Sequence, residues 1–98
     1  MGRRLYVLVR KDLPKNQASV QAGHVVAEYL LRGPHSFWGN ETLIYLGVKD
    51  EENLNEWVDK ITNSGYIVVR FREPDRNNEL TAVATECSPE LVEGLRLF

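Results

Sequence analysis

Two short apolar runs, each followed by a long segment of helical character, constrain this chain more than anything else in it. "LYVLVR", Leu5 to Arg10, is β-branched-rich and reads as a buried strand. "KDLPKN" follows as a loop punctuated by Pro14, with Asn16 placed to cap a helix through its side-chain oxygen. That helix extends to about Arg32, where Gly33 and Pro34 stop it. Val20, Ala27 and Leu31, with Ala18 and Leu30 nearby, are expected to form its apolar face. Gln21, His24 and Glu28, spaced three and four apart, are expected to form a polar stripe. The unit then repeats. "TLIYLGV", Thr42 to Val48, is a second strand, and "DEENLNEWVDKITNSG" a second helix. Asp50 caps that helix, acids fill its first turn, and Leu54, Trp57, Val58 and Ile61 make its buried stripe.

Tyr66–Phe71 and Leu80–Glu86 read as third and fourth strands, joined by the polar loop "REPDRNNE". Ser88 and Pro89 then open a short terminal helix running toward Leu97. The order βα-βα-β-β-α favours a largely parallel sheet covered on both faces. About eight residues between the third and fourth strands are too few for a parallel crossover, so one of these strands should run against the rest. The expected fold is therefore α/β, a three-layer α/β/α domain with a four-stranded mixed sheet, spanning residues 1–98 as one domain. Val7, Val9, Ile44, Leu46, Val68 and Val83 should lie in its core.

The chain is 43% hydrophobic and 27% charged, which suits a globular protein. No apolar run approaches the roughly 20 residues that span a bilayer. The N-terminal apolar run is broken by Arg10 and Lys11 before it reaches signal-peptide length. Tyr6 stands where an N-myristoylation motif needs Ser or Thr. A lone cysteine, Cys87, cannot form an internal disulfide; with the other features this favours a cytoplasmic location and no membrane partner.

Net charge is −2, but the charges cluster. Arg3, Arg4, Arg10, Lys11 and Lys15 crowd the first fifteen residues, and Arg70, Arg72 and Arg76 form a second group. Five acids lie between Asp50 and Asp59. A local basic side can meet phosphate despite the negative total.

Ligands of such sheets bind beyond the carboxyl ends of the parallel strands. Here that points to "KDLPKN" and "REPDRNNE", and the polar stripe of the first helix begins beside the former. His24 could act as a base or a donor near neutral pH, or simply pack at the core margin. His35, in a Gly-Pro loop, should face solvent. Two histidines eleven apart and one distant cysteine make no zinc set, and no cofactor motif is present. No nucleophile elbow or phosphate-cradling glycine loop appears either. A site of polar side chains that activates water or stabilises an oxyanion stays open, with Glu73, Asp75, Asn77 and Thr81 as candidates beside the plainer role of a solvated turn.

"LYVLVRKDLPKNQASVQAGHVVAEYL" resembles the opening of the type 2 peptidyl-tRNA hydrolase family. The matching pieces are Arg10-x-Asp12-Leu13, Lys15, and Ser19-Val20-Gln21-x-x-His24-Val25, and "REPDRNNELTAVAT" sits where the family has its later loop and strand. The resemblance implies a metal-independent hydrolase cleaving the ester between a peptide and the tRNA 3′ end, with a four-stranded mixed sheet. It implies catalytic roles for His24, Gln17, Lys15, Glu73, Asn77 and Thr81, and substrate contacts from Gln21, Arg10, Lys11 and Arg76. The implied partner is tRNA, with a homodimer left open. The sequence departs from the family at three points: the catalytic lysine falls on Gln17, the loop aspartate on Glu73 and the loop threonine on Asn77. Thr81 matches. Lys15 could swing in for the missing lysine on its flexible stem. Two alternatives stand beside the esterase: a family member that binds tRNA, RNA or a protein without efficient turnover, and a purely structural interaction domain.

Overall fold

The structure, a computed structural model, describes residues 3–34 and 37–98. His35, named above, lies outside the described residues. Strand β1 (Arg4–Arg10) leads to helix α1 (Lys15–Arg32), strand β2 (Thr42–Val48) and helix α2 (Glu51–Asn63). Strands β3 (Val69–Glu73) and β4 (Glu79–Thr85) follow, and a two-residue strand, β5 (Arg96–Leu97), ends the chain.

The sheet order is β3-β4-β1-β2-β5. β1 and β2 are parallel, while β4 pairs antiparallel with both β1 and β3. The mixed α/β sheet is as expected; of the third and fourth strands β4 is the one that opposes its neighbours, and β5 also runs antiparallel to β2. The strand number is a correction: five, not four. The expected terminal helix is only a 3-10 turn at Pro89–Leu91. Beyond it the chain returns to the edge of β2, pairing Leu46 with Leu97 and Gly47 with Arg96. An open strand edge carries unpaired backbone groups, and β5 satisfies some of them at β2. Phe98 N extends the contact by donating to Tyr45 O at 2.9 Å.

Alternate residues of β1 face opposite ways. Leu5, Val7 and Val9 pack with Ala18, Ala22, Val25 and Tyr29 of α1. Tyr6 and Leu8 pack with Leu54, Val58 and Ile61 of α2. Of the expected core residues, Val7, Val9, Leu46, Val68 and Val83 are buried and Ile44 is partly so.

Helix α2 follows its sequence signals closely. Asp50 caps it by accepting from Asn53 N at 2.9 Å. Gly65, with φ at +93°, carries the chain out in a conformation that costs glycine little.

Helix α1 does not follow them. Its buried residues are Ala18, Gln21, Ala22, Val25 and Tyr29. Val20, Leu30 and Leu31, expected in its core face, are 56%, 62% and 74% exposed. Small alanines let the helix sit close on Ala82 and Ala84 of β4, so packing distance rather than residue bulk chose the face. Asn16 lies inside the helix, and Pro14 takes the cap position with no side-chain bond. Gly33 does end the helix: a Cβ there would come 2.4 Å from Tyr29 O.

Candidate functional site

Thr81 is wholly buried on β4, and Gln21 is 5% exposed on the face of α1 above it. Thr81 Oγ1 donates to Gln21 Oε1 at 2.7 Å, and Gln21 Nε2 donates to Glu73 Oε1 at 2.9 Å. The direction follows from chemistry. An ionised carboxylate only accepts, so the amide nitrogen must face Glu73 and the amide oxygen must take the hydroxyl proton. A glutamine in the buried face of a helix is thereby satisfied at both ends. The relay joins α1, β3 and β4 at the carboxyl end of β3.

The turn after β3 aims Glu73. Pro74–Arg76 form one 3-10 turn, and Asn77 and Asn78 follow at φ of 54° and 59°. Asparagine tolerates this left-handed backbone better than most residues. Asn78 N then donates to Glu73 O at 3.0 Å, closing the hairpin. Glu73 Oε2 accepts a long 3.4 Å bond from Asp75 N. The Gln21 hydrogen bond holds the Glu73 carboxyl below the usual carboxylate range; desolvation opposes this, and the Asp75 amide and the His24 charge assist it. Glu73 is therefore ionised at neutral pH. It is a good acceptor and a weak base.

His24 lies flat on Phe71, with ring centroids 4.6 Å apart and planes within 4°. Phe71 and Glu73 alternate along β3 and share the α1 face. Period-two counting back from Glu73 was the signal that could have added Phe71 to the candidates.

A depression of about 380 Å³ opens at this corner. Gln21 and Glu73 line it together with Asn16, Gln17, Val20, Asp75 and Arg76. Gln17, Gln21, Glu73 and Arg76 thus share one surface, and Thr81 supports it from below. Lys15 does not line it; its Nζ sits 5.7 Å from the Phe98 ring centroid, toward the β5 end of the sheet. Lys11 is exposed, and its stem passes over Gly47 of β2, where an added Cβ would fall 2.7 Å from Lys11 Cδ. Asn77 is exposed in the turn and contributes backbone shape.

Arg10 is only 5% exposed, and all three of its guanidinium nitrogens are engaged. Nε and Nη2 grip both oxygens of Asp12 at 2.9 and 2.7 Å, and Nη1 reaches Glu79 at 2.8 Å and Leu80 O at 3.2 Å. This fork raises the Arg10 pKa and lowers that of Asp12, in each case chiefly through their shared hydrogen bonds. Arg10 ties strand ends together. Arg76 Nε is shielded from solvent, makes no hydrogen bond, and lies 3.5 Å from Glu79 Oε1.

A larger depression, about 500 Å³, lies at the opposite end of β1, between Arg3, Arg4, Tyr6, Thr42 and Glu86. Its carboxylate is engaged, since Glu86 accepts from Arg3 Nε at 2.8 Å and from the Tyr29 hydroxyl. Among the described residues no group of histidine, cysteine and acidic side chains is arranged to hold a metal ion, and no helix is long and apolar enough to cross a membrane.

No family model and no curated protein matches the chain. Among solved structures, the chain is similar to a protein of unknown function from Agrobacterium tumefaciens strain C58. The TM-score is 0.70 at 12% identity, over 100% of this chain and 98% of the other. At that identity the likeness is one of fold.

Proposed function

We propose that this chain is a metal-independent ester hydrolase of the peptidyl-tRNA hydrolase type, acting on an acyl ester at a tRNA 3′ end. The observation that carries the proposal is the Thr81–Gln21–Glu73 relay beside His24. Of these residues, far apart in sequence and each implied by the family resemblance, Gln21 and Glu73 line one depression at the carboxyl end of a strand, Thr81 is buried behind Gln21, and His24 stacks on Phe71 outside the lining.

In this account Glu73 and Gln21 orient the acyl group, and the role of base falls to His24, which stacks on Phe71 beside Glu73 and outside the lining of the depression. Arg76 is the cation of the lining that can meet negative charge as the ester is attacked. Lys11 and Lys15, exposed near the same end of β1, meet the RNA phosphates. The test is release of tRNA from a defined aminoacyl-tRNA, N-blocked and unblocked, against heat-inactivated protein.

One observation favours a second reading, a domain that binds tRNA without efficient turnover. No lysine lines the depression, and Gln17 there is neutral. An oxyanion would have only Arg76, whose guanidinium is already close to Glu79. The same assay separates the two, because the binder retains tRNA affinity without releasing product.

A further inference from the structure

We infer that the depression at the Arg4 end of β1 is a second binding site, one that takes a small phosphomonoester. This site is independent of the hydrolase reading. Arg4 and Arg10 mark the two ends of β1, roughly 20 Å apart, so one small ligand cannot occupy both this depression and the Gln21–Glu73 corner. Two arginines line the depression, and only one of them has a carboxylate partner. Arg3 Nε donates to Glu86 Oε1 at 2.8 Å, and the Tyr29 hydroxyl donates to Glu86 Oε2. Glu86 is thus engaged at both oxygens, and Arg3 matches its charge. Arg4 is exposed and makes no hydrogen bond or ion pair among the described residues. One positive charge of the lining is left over.

The wall also holds an unused donor. Tyr6 is 4% exposed and belongs to the core on the α2 side of the sheet. Its hydroxyl has no hydrogen-bond partner among the described residues, and it is not sealed from solvent. The exposed tip of Tyr6 is therefore the hydroxyl, on the wall of the depression. A buried phenol ordinarily finds a partner; this one is left for a ligand. Thr42, paired with Arg4 across the β1–β2 ladder, adds a second unused hydroxyl to the lining. A phosphomonoester carries close to two negative charges at neutral pH and three strong acceptor oxygens. Those oxygens suit a guanidinium and two hydroxyls around one space better than the two oxygens of a carboxylate do. The depression, about 500 Å³, is larger than a phosphate, which leaves room for an organic group against Pro89 and Cys87. Burial pushes the Cys87 thiol up, so it stays neutral and adds no repulsion.

The test titrates the full chain, isotopically labelled, with phenyl phosphate, with methyl phenyl phosphate and with benzyl alcohol, at about pH 8 and low salt. The expected result is that phenyl phosphate shifts the resonances of Arg4, Tyr6, Thr42 and Cys87 and leaves those of Gln21 and Glu73 in place. It should bind roughly threefold tighter or more than the methyl diester, which carries one charge less, and benzyl alcohol should shift none of them. Arg4→Gln and Tyr6→Phe should each weaken phenyl phosphate binding by roughly threefold or more while circular dichroism stays unchanged. Arg4 is exposed, so its replacement leaves the core intact even where Tyr6→Phe disturbs packing. An absence of shifts at these residues overturns the inference, as do shifts centred on Gln21 and Glu73 instead. Equal or tighter binding of the diester also overturns it and assigns the depression to a nucleic-acid backbone. Undiminished binding by Arg4→Gln removes its electrostatic basis and overturns it as well.

Discussion

The hydroxyl of Thr81, buried under helix α1, gives its proton to the Gln21 amide oxygen 2.7 Å away. Removing either partner strands the other. Gln21→Ala leaves the Thr81 hydroxyl with only the Phe71 carbonyl at 3.4 Å. We predict a loss of about 1–3 kcal/mol in urea unfolding. Thr81→Val combined with Gln21→Leu should cost less than the sum of the two single changes, because both polar groups then leave together. Strict additivity would mean that the bond is not formed.

Arg10 should behave as a structural residue. Arg10→Ala leaves Asp12, Glu79 and the Leu80 carbonyl without their shared donor, and we predict destabilisation of about 3 kcal/mol. Arg10→Lys keeps the charge but not the fork, and should lose about half of that. Thermal unfolding of the three proteins measures it. A fully stable Arg10→Ala protein with reduced tRNA affinity would move Arg10 back to the substrate-binding role implied by the family resemblance.

Stability should fall on the acid side. Asp12, Glu73 and Glu79 have folded pKa values below their ordinary ones, each held down first by a hydrogen bond from Arg10, Gln21 and Arg10 respectively. A depressed carboxyl contributes stability that is present above its unfolded pKa and is lost as pH falls through the folded one. The decline therefore begins as pH drops below about 5 and continues below about 4. Asp12→Asn with Glu79→Gln should flatten that limb in a denaturation series across pH.

His24 offers a way to separate packing from chemistry. His24→Phe keeps the parallel stack on Phe71 and loses the ring nitrogens, so it should retain stability and lose hydrolytic activity. His24→Ala should lose activity and also about 0.5–1.5 kcal/mol of stability. Gln17→Lys places an ammonium in the depression and should raise turnover of an N-blocked ester, since one oxyanion donor elsewhere is worth roughly a hundredfold. Lys11→Glu with Lys15→Glu should weaken tRNA binding at least tenfold, or about 1.4 kcal/mol, most clearly at low salt. A neutral Gln17→Lys beside a severely impaired Lys15→Ala would assign the cation's role to Lys15.

The legible parts of the fold were those with local causes. Asp50 at the start of α2 and Asn77-Asn78 in the hairpin turn act through bonds within a few residues, and sequence shows them. The burial of α1 was hidden because two alanines and a glutamine share its inward face with Val25 and Tyr29, while Val20, Leu30 and Leu31 face out. Gln21 reads as surface until a threonine sixty residues away meets it. β5 was hidden for the same reason: two exposed residues become a strand only because the edge of β2 lies beside them. For the site, the convergence of Gln21, Glu73 and Thr81 followed from the resemblance and the strand order. The position of Lys15 did not, because its stem can lean either way and Phe98, at the far end of the chain, draws it aside.

The central claim is that the Thr81–Gln21–Glu73 corner hydrolyses an acyl ester of tRNA. Its most direct test is the rate of tRNA release from aminoacyl-tRNA and from its N-acetyl form, with wild-type protein, Glu73→Ala and a heat-inactivated control. We predict release above the control by the wild type and at least a tenfold lower rate in Glu73→Ala, with both proteins folded by circular dichroism. Release no faster than the control by a folded wild-type protein, on either ester, would contradict the claim.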